Sequence, residues 1–253
     1  AYFDKHPEWY SFHRNRTGGV WFQRHSQFNY HNPELAEHVA RLRLEGFRGW
    51  AKHLPNLCLS QNDCFGWSED PVTVAFDAAE GSVAASHVRF VNEVADAVAA
   101  EFPDRRLITL AYLQTLIPPR TLEYAPNVAL MICEPDAIWG RAVTRSGSLG
   151  GQYLGIVRAW SRKSALPVVW IYHMTSSWQY QFNPDVAGLQ DDFRAYLEAG
   201  ARGFFAEVYS DATNTTYFDD LRSYLMTRLA WDPDLDLDAL LRDFHLRYFG
   251  PRS

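Results

Sequence analysis

The sequence predicts an α/β chain of the (β/α)8 TIM-barrel type, with only the later strands of the barrel present in its 253 residues. Three observations carry this reading. Five short apolar runs each end in polar side chains, as buried parallel strands do when they deliver residues to the rim of a barrel. Runs with helical spacing separate most of these strands, which argues for βα units with every C-terminal strand end on one face. No glycine-rich phosphate fingerprint follows any strand, which argues against the open doubly wound alternative. With 47% hydrophobic residues the chain can bury a large core, and residues 1–253 read as one domain.

In chain order, Phe3 to Phe28 is rich in His, Trp, Arg and Gly and reads as a long loop or short hairpin around Gly18-Gly19. A helix is expected from Pro33 to Leu44, with Asn32 as its cap, Pro33 in its first turn and Gly46 as its stop. The run Asn56 to Asp63 is the first strand, followed by a loop carrying Cys64, Gly66, Trp67, Glu69 and Asp70. Ser82 to Phe102 is the most strongly periodic helix, ended by Pro103. Strands at 107–112 and 128–134 follow, joined through Pro118-Pro119 by a stretch too short for a long helix. Residues 135–151 read as a Gly- and Ser-rich loop, 152–163 as a helix, 168–173 as a strand and 175–183 as a polar aromatic loop. A helix from Asp185 to Ala199 stops at Gly200, and the last strand is Gly203 to Glu207. Helices at 217–229 and 237–249 close the chain.

Composition excludes several classes. A net charge of −6 without a basic stripe argues against nucleic acid as a partner. No apolar run reaches the roughly 18 residues needed to span a bilayer. Three cysteines without close pairs suggest neither a disulfide framework nor a structural zinc site, and Cys58 and Cys133 read as small core residues. His6, His13, His25 and His31 lack metal-ligand spacing, so no metal and no cofactor is expected. Aromatic residues make up 15% of the chain, enough both to fill a core and to stack on sugar rings.

The candidate chemistry lies at the strand ends. Asp63 and Glu207 end the first and last clear strands, and glycosidic bond cleavage uses two such carboxylates. One protonates the leaving oxygen; the other attacks, activates water or steadies positive charge. Gln61 and Asn62 precede Asp63, Glu134 ends the third strand, and Tyr112, Tyr172 and His173 end two more, as candidate contacts for hydroxyl groups. Trp67, Trp139 and Trp178 lie in loops after strand ends and are candidate stacking platforms, whereas Trp50, Trp160 and Trp231 read as packing residues. A catalytically silent, carbohydrate-binding barrel is the alternative.

Several stretches together resemble a known family: His6-Pro7-Glu8-Trp9, Ser60-Gln61-Asn62-Asp63, Thr109-Leu110-Ala111-Tyr112, Val169-Trp170-Ile171-Tyr172, and Leu221 to Leu225 with Leu229-Ala230-Trp231-Asp232-Pro233. They resemble the glycoside-hydrolase-like domain of unknown function 4838, which includes glycoside hydrolase family 163, endo-β-N-acetylglucosaminidases acting on N-glycans. The resemblance implies a (β/α)8 catalytic domain in secreted or surface proteins, the periplasm included, of glycan-degrading bacteria. It also implies that N-terminal barrel strands or an accessory module belong to a longer parent protein. Asp63 and Glu207 would divide the two roles in either order, and the order favoured has Glu207 as proton donor and Asp63 as its partner.

Overall fold

The computed structural model describes residues 2–14, 20–138, 141–172, 186–207 and 219–251. The chain forms two compact units, Ala1–Ile132 with Ala159–Pro167, and Cys133–Arg158 with Val168–Ser253. The first unit opens with helix α1 (Tyr2–Lys5) and an antiparallel hairpin, β1 (Phe12–Arg14) with β2 (Val20–Phe22). Helix α2 (Pro33–Arg48) begins as expected, with the Asn32 side chain accepting the Leu35 N–H at 3.0 Å and Pro33 in the first turn. It does not stop at Gly46. That glycine is buried within the helix, where a β-carbon would stand 3.2 Å from Leu57 Cδ1, so its role is close helix–strand approach.

Strand β3 (Asn56–Cys58) is shorter than the expected run, although the Leu59 N–H still donates to the Ile108 carbonyl at 2.7 Å. Beyond it lies a helix the sequence reading leaves out, α3 (Pro71–Glu80), whose first turn is capped by the Asp70 carboxylate accepting from Val72 and Thr73 N–H groups. Helix α4 (Ala84–Glu101) buries Val88, Val91, Val94, Ala95 and Val98 along one face. Parallel strands β4 (Arg106–Ala111) and β5 (Val128–Cys133) follow, with Leu107 opposite Val128 and Ala111 opposite Ile132. The stretch between them holds only a short 3-10 turn, Leu113–Leu116.

Helix α5 (Gly147–Ser161) starts five residues before the expected position. Gly150 explains how: a β-carbon there would run into the Val143 carbonyl oxygen, so only glycine lets the first turn lie against that chain. Strand β6 (Leu166–Tyr172), helix α6 (Val186–Glu198) and strand β7 (Gly203–Glu207) then form a βαβ unit, with Trp170 opposite Phe205 and Tyr172 opposite Glu207. Phe204 packs edge-on against Phe193 of α6, ring centroids 4.7 Å apart, which fixes the helix-covered face of β7. Helices α7 (Asp219–Trp231) and α8 (Leu237–Phe249) complete the chain.

Strands β3 to β7 are neighbours in chain order in one sheet, the strand order of a (β/α) barrel segment. Among the described residues, five strands stand where a closed barrel has eight. Trp160 is fully buried, as expected of a packing residue. Trp50 and Trp231 are not packing residues: they are 76% and 92% exposed. Among the described residues no helix is long and apolar enough to cross a membrane.

Two glycines of α5 give opposite predictions. Gly150→Ala, which forces backbone apart, destabilises the protein by roughly 2–3 kcal/mol. Gly155→Ala meets nothing within 4 Å and stabilises by about 1 kcal/mol through the higher helix propensity of alanine. Urea denaturation of the two variants beside wild type measures both.

Candidate functional site

In the second unit, the pairing of β6 with β7 assembles a cluster from alternate residues. Trp170 and Tyr172 share one face of β6, because strand side chains alternate, and Phe205 and Glu207 share the matching face of β7. The Trp170 and Tyr172 rings stack at 5.9 Å with 21° between planes, and the Phe205 ring meets Trp170 edge-on at 4.5 Å. Trp170 Nε1–H donates to Glu207 Oε2 at 3.0 Å. Glu207 is half-buried and Phe205 is 40% exposed, so the carboxylate stands beside aromatic rings that solvent reaches.

Cys133, the last residue of β5, joins this cluster by hydrogen bonding with Tyr172. Burial pushes its thiol up to about 12, against the Tyr172 hydrogen bond and with the Glu207 and Glu134 charges adding to the rise. The thiol is therefore neutral near pH 7 and is no nucleophile.

Glu134 directly follows Cys133, the last residue of β5, and is buried. It has the parity of Leu130 and Ile132, both fully buried, and is itself 4% exposed. Its Oε2 accepts the Tyr172 N–H at 3.0 Å and its Oε1 accepts the Tyr196 hydroxyl of α6. The Glu134 N–H donates to the Trp170 carbonyl at 3.1 Å, so backbone and side chain together tie the end of β5 to β6. Burial pushes the Glu134 carboxyl up to about 7, opposed by the Tyr196 and Tyr172 hydrogen bonds and reinforced by the Asp192 charge.

In the first unit, Asp63 is exposed in the loop after β3. Its two neighbours hold loops in place. Gln61 is buried, and its Nε2 donates to Thr115 Oγ1 at 2.8 Å and to the Tyr112 carbonyl at 3.3 Å. Leu113, the next residue, has φ 51°, a left-handed conformation that costs a bulky side chain energy and that these bonds help to hold. Asn62 Nδ2 donates to the Ser26 carbonyl at 2.6 Å, and its backbone N–H and carbonyl pair with the Gln27 amide at 2.9 and 2.6 Å. Tyr112 is half-buried directly after β4. Trp67 packs against Tyr30 at 5.2 Å and lines a groove of about 670 Å³ with Val74, Asp77, Gln114 and Ile117. Burial pushes the Asp77 carboxyl up to about 6, opposed by hydrogen bonds from the Ser86 N–H and hydroxyl.

Trp139, His173 and Trp178 lie outside the described residues. Among the described residues no group of three or more His, Cys, Asp or Glu is placed to hold a metal ion. Sequence reading missed Trp170, Phe205 and Tyr196. The first two were legible: Trp170-x-Tyr172 and Phe205-x-Glu207 have the period-two spacing that puts both members of each pair on one face.

The buried acid has a measurable consequence. A carboxyl whose folded-state pKa lies above its ordinary 4.5 binds its proton more tightly when folded. Its effect on stability is absent below about pH 4.5 and grows to a loss on the order of 3 kcal/mol above about pH 7. Glu134→Gln is isosteric with the neutral acid, with Oε1 accepting the Tyr172 N–H and Nε2 donating to the Tyr196 hydroxyl oxygen. Wild type and E134Q should melt together at pH 4, and E134Q should melt higher at pH 8. Parallel melting curves across that range contradict the assignment. Asp77 is unchanged in both proteins and cancels in the difference.

No curated protein and no solved structure matches the chain. A family model described as a domain of unknown function (DUF4838) matches residues 1–253, and the chain belongs to that family.

Proposed function

We propose that this chain is a glycoside hydrolase domain acting on β-linked, N-acetylglucosamine-containing glycans, in the manner of the endo-β-N-acetylglucosaminidases of glycoside hydrolase family 163. The observation that carries the reading is Glu207, a half-buried carboxylate at the C-terminal end of a parallel strand, flanked by Trp170, Tyr172 and Phe205. Aromatic rings offer flat apolar faces to the C–H surface of a pyranose, and a carboxylate beside them stands within reach of an anomeric centre. Hydrolysis breaks the bond between anomeric carbon and leaving oxygen; that oxygen takes a proton, and the carbon takes an oxygen from water, directly or after a covalent or acetamido-derived intermediate. On this reading the protein is secreted or surface-bound, the natural place for glycan-degrading activity, and its partner is carbohydrate.

A second reading, a silent carbohydrate-binding domain, draws on a specific observation: of the polar residues expected to meet substrate, Gln61, Asn62 and Glu134 all make hydrogen bonds that hold the chain itself. The two readings separate on one variant. Glu207→Gln should lower the release of free reducing ends from N-glycans by at least about a thousandfold while leaving binding within a few-fold. Measured binding with no wild-type cleavage would favour the silent domain, and full activity in E207Q would remove Glu207 from the mechanism.

A further inference from the structure

Resting on the reading that carbohydrate is the partner, we propose that Phe65 and Asp63 form a sugar-contacting ledge in the first unit. The Phe65 ring stacks on the C–H face of a pyranose, and the Asp63 carboxylate accepts from its hydroxyl or acetamido N–H groups. The stacking role in this loop thus falls to Phe65 and not to Trp67.

The loop after β3 is tied down almost residue by residue. Gln61 donates to Thr115 Oγ1, and Asn62 donates to the Ser26 carbonyl. The Asn62 and Cys64 carbonyls both accept from Gln27 Nε2, at 2.6 and 2.8 Å, and the Gly66 carbonyl accepts the Gln27 N–H at 3.2 Å. Gly66 lies so near Ser26 that a β-carbon on it would stand 2.6 Å from Ser26 Cβ. The Phe65 carbonyl accepts the Trp67 N–H at 2.9 Å and Gln114 Nε2 at 3.2 Å. Ser68 Oγ accepts the Phe12 N–H at 3.2 Å, and Glu69 Oε2 accepts the Arg14 N–H at 2.7 Å.

Two exposed side chains of this loop take no part in holding it. Phe65 is 73% exposed, and the exposed Asp63 carboxylate makes no hydrogen bond or ion pair among the described residues. Residues two apart have Cα atoms at most about 7 Å from each other, so ring and carboxylate stand close enough to meet one sugar residue. A pyranose offers such a pair what it needs: an apolar C–H face and a rim of O–H donors. Gln114 Oε1, also without a partner among the described residues, adds a neutral acceptor beside the Phe65 backbone. Singly exposed apolar side chains are common, but this one sits on a backbone fixed on both sides, and a platform fixed beforehand loses little freedom on binding. Trp67 is already in use. Its ring packs against Tyr30 at 5.2 Å and His87 at 6.4 Å, and its Nε1 is shut off from solvent.

The test reads the ring itself. Para-fluorophenylalanine replaces Phe65 in the 253-residue chain carrying Glu207→Gln, so that no turnover interferes, and N,N′-diacetylchitobiose is added. The fluorine resonance should move and saturate, at a midpoint that calorimetry reproduces with Phe65 intact. Phe65→Ala should weaken that calorimetric binding at least about tenfold, and Phe65→Trp should restore it. In the fluorinated chain, Asp63→Ala should raise the midpoint about tenfold; an unchanged midpoint overturns the carboxylate's part. Calorimetric binding with an unmoved fluorine resonance, or binding undiminished in Phe65→Ala, overturns the ledge and leaves the hydrolase reading standing. A folded chain that binds the disaccharide by neither measurement overturns the ledge and the carbohydrate reading together.

Discussion

The in-register pairing of β6 with β7 is the constraint on which the candidate site depends. Strand side chains alternate between faces, so a slip of one residue would send Glu207 into the helix-covered layer and bring Phe204 out in its place. One feature holds the register: Phe204 is caught by the rings of Phe193 and Tyr196 on α6. At the other side of β6, Glu134 accepts from the Tyr172 backbone and the Tyr196 hydroxyl, joining the end of β5, the end of β6 and α6 through one carboxyl group. A buried acid is a costly way to join three elements, and the raised proton affinity of Glu134 is the form that cost takes.

The same fold logic explains why the first unit holds its loops with amides. Asn62 and Gln27 exchange backbone and side-chain hydrogen bonds, and Gln61 reaches Thr115 beside the left-handed Leu113. Amide side chains suit this work because each offers a donor and an acceptor and carries no charge to desolvate. A run that breaks off in Gln-Asn-Asp thus combines two structural residues with one exposed carboxylate, Asp63.

Much of the fold was legible because buried parallel strands leave a strong mark: apolar runs with abrupt polar ends. All five appear at the expected places, four of them within two residues at their ends and β3 ending five residues early. Helix α3 escaped notice although Asp70-Pro71 and Gly81 bracket it, because ten residues with Val72 and Val74 exposed leave little apolar periodicity. Gly46 and Gly150 follow a related logic: in sequence each reads as a stop or a loop marker, whereas in the fold each permits close approach within a helix. At the site, position along the strand was readable and face was not. Glu207 ends β7 and Glu134 directly follows β5, yet Glu134 faces a tyrosine of α6 and Glu207 faces Trp170. Telling them apart needs to know which parity meets the helices, and that follows from packing, as Phe204 on Phe193 illustrates.

The account stands or falls on whether Glu207 meets the anomeric end of a sugar. The most direct measurement is peptide mass spectrometry of the chain after reaction with a β-linked epoxyalkyl glycoside of N-acetylglucosamine, whose epoxide is opened by a carboxylate held close to the bound ring. The account predicts one ester adduct per chain, on Glu207, suppressed by excess glycan. Adducts on other carboxylates with Glu207 unmodified, or no adduct at concentrations where the sugar binds, would contradict it.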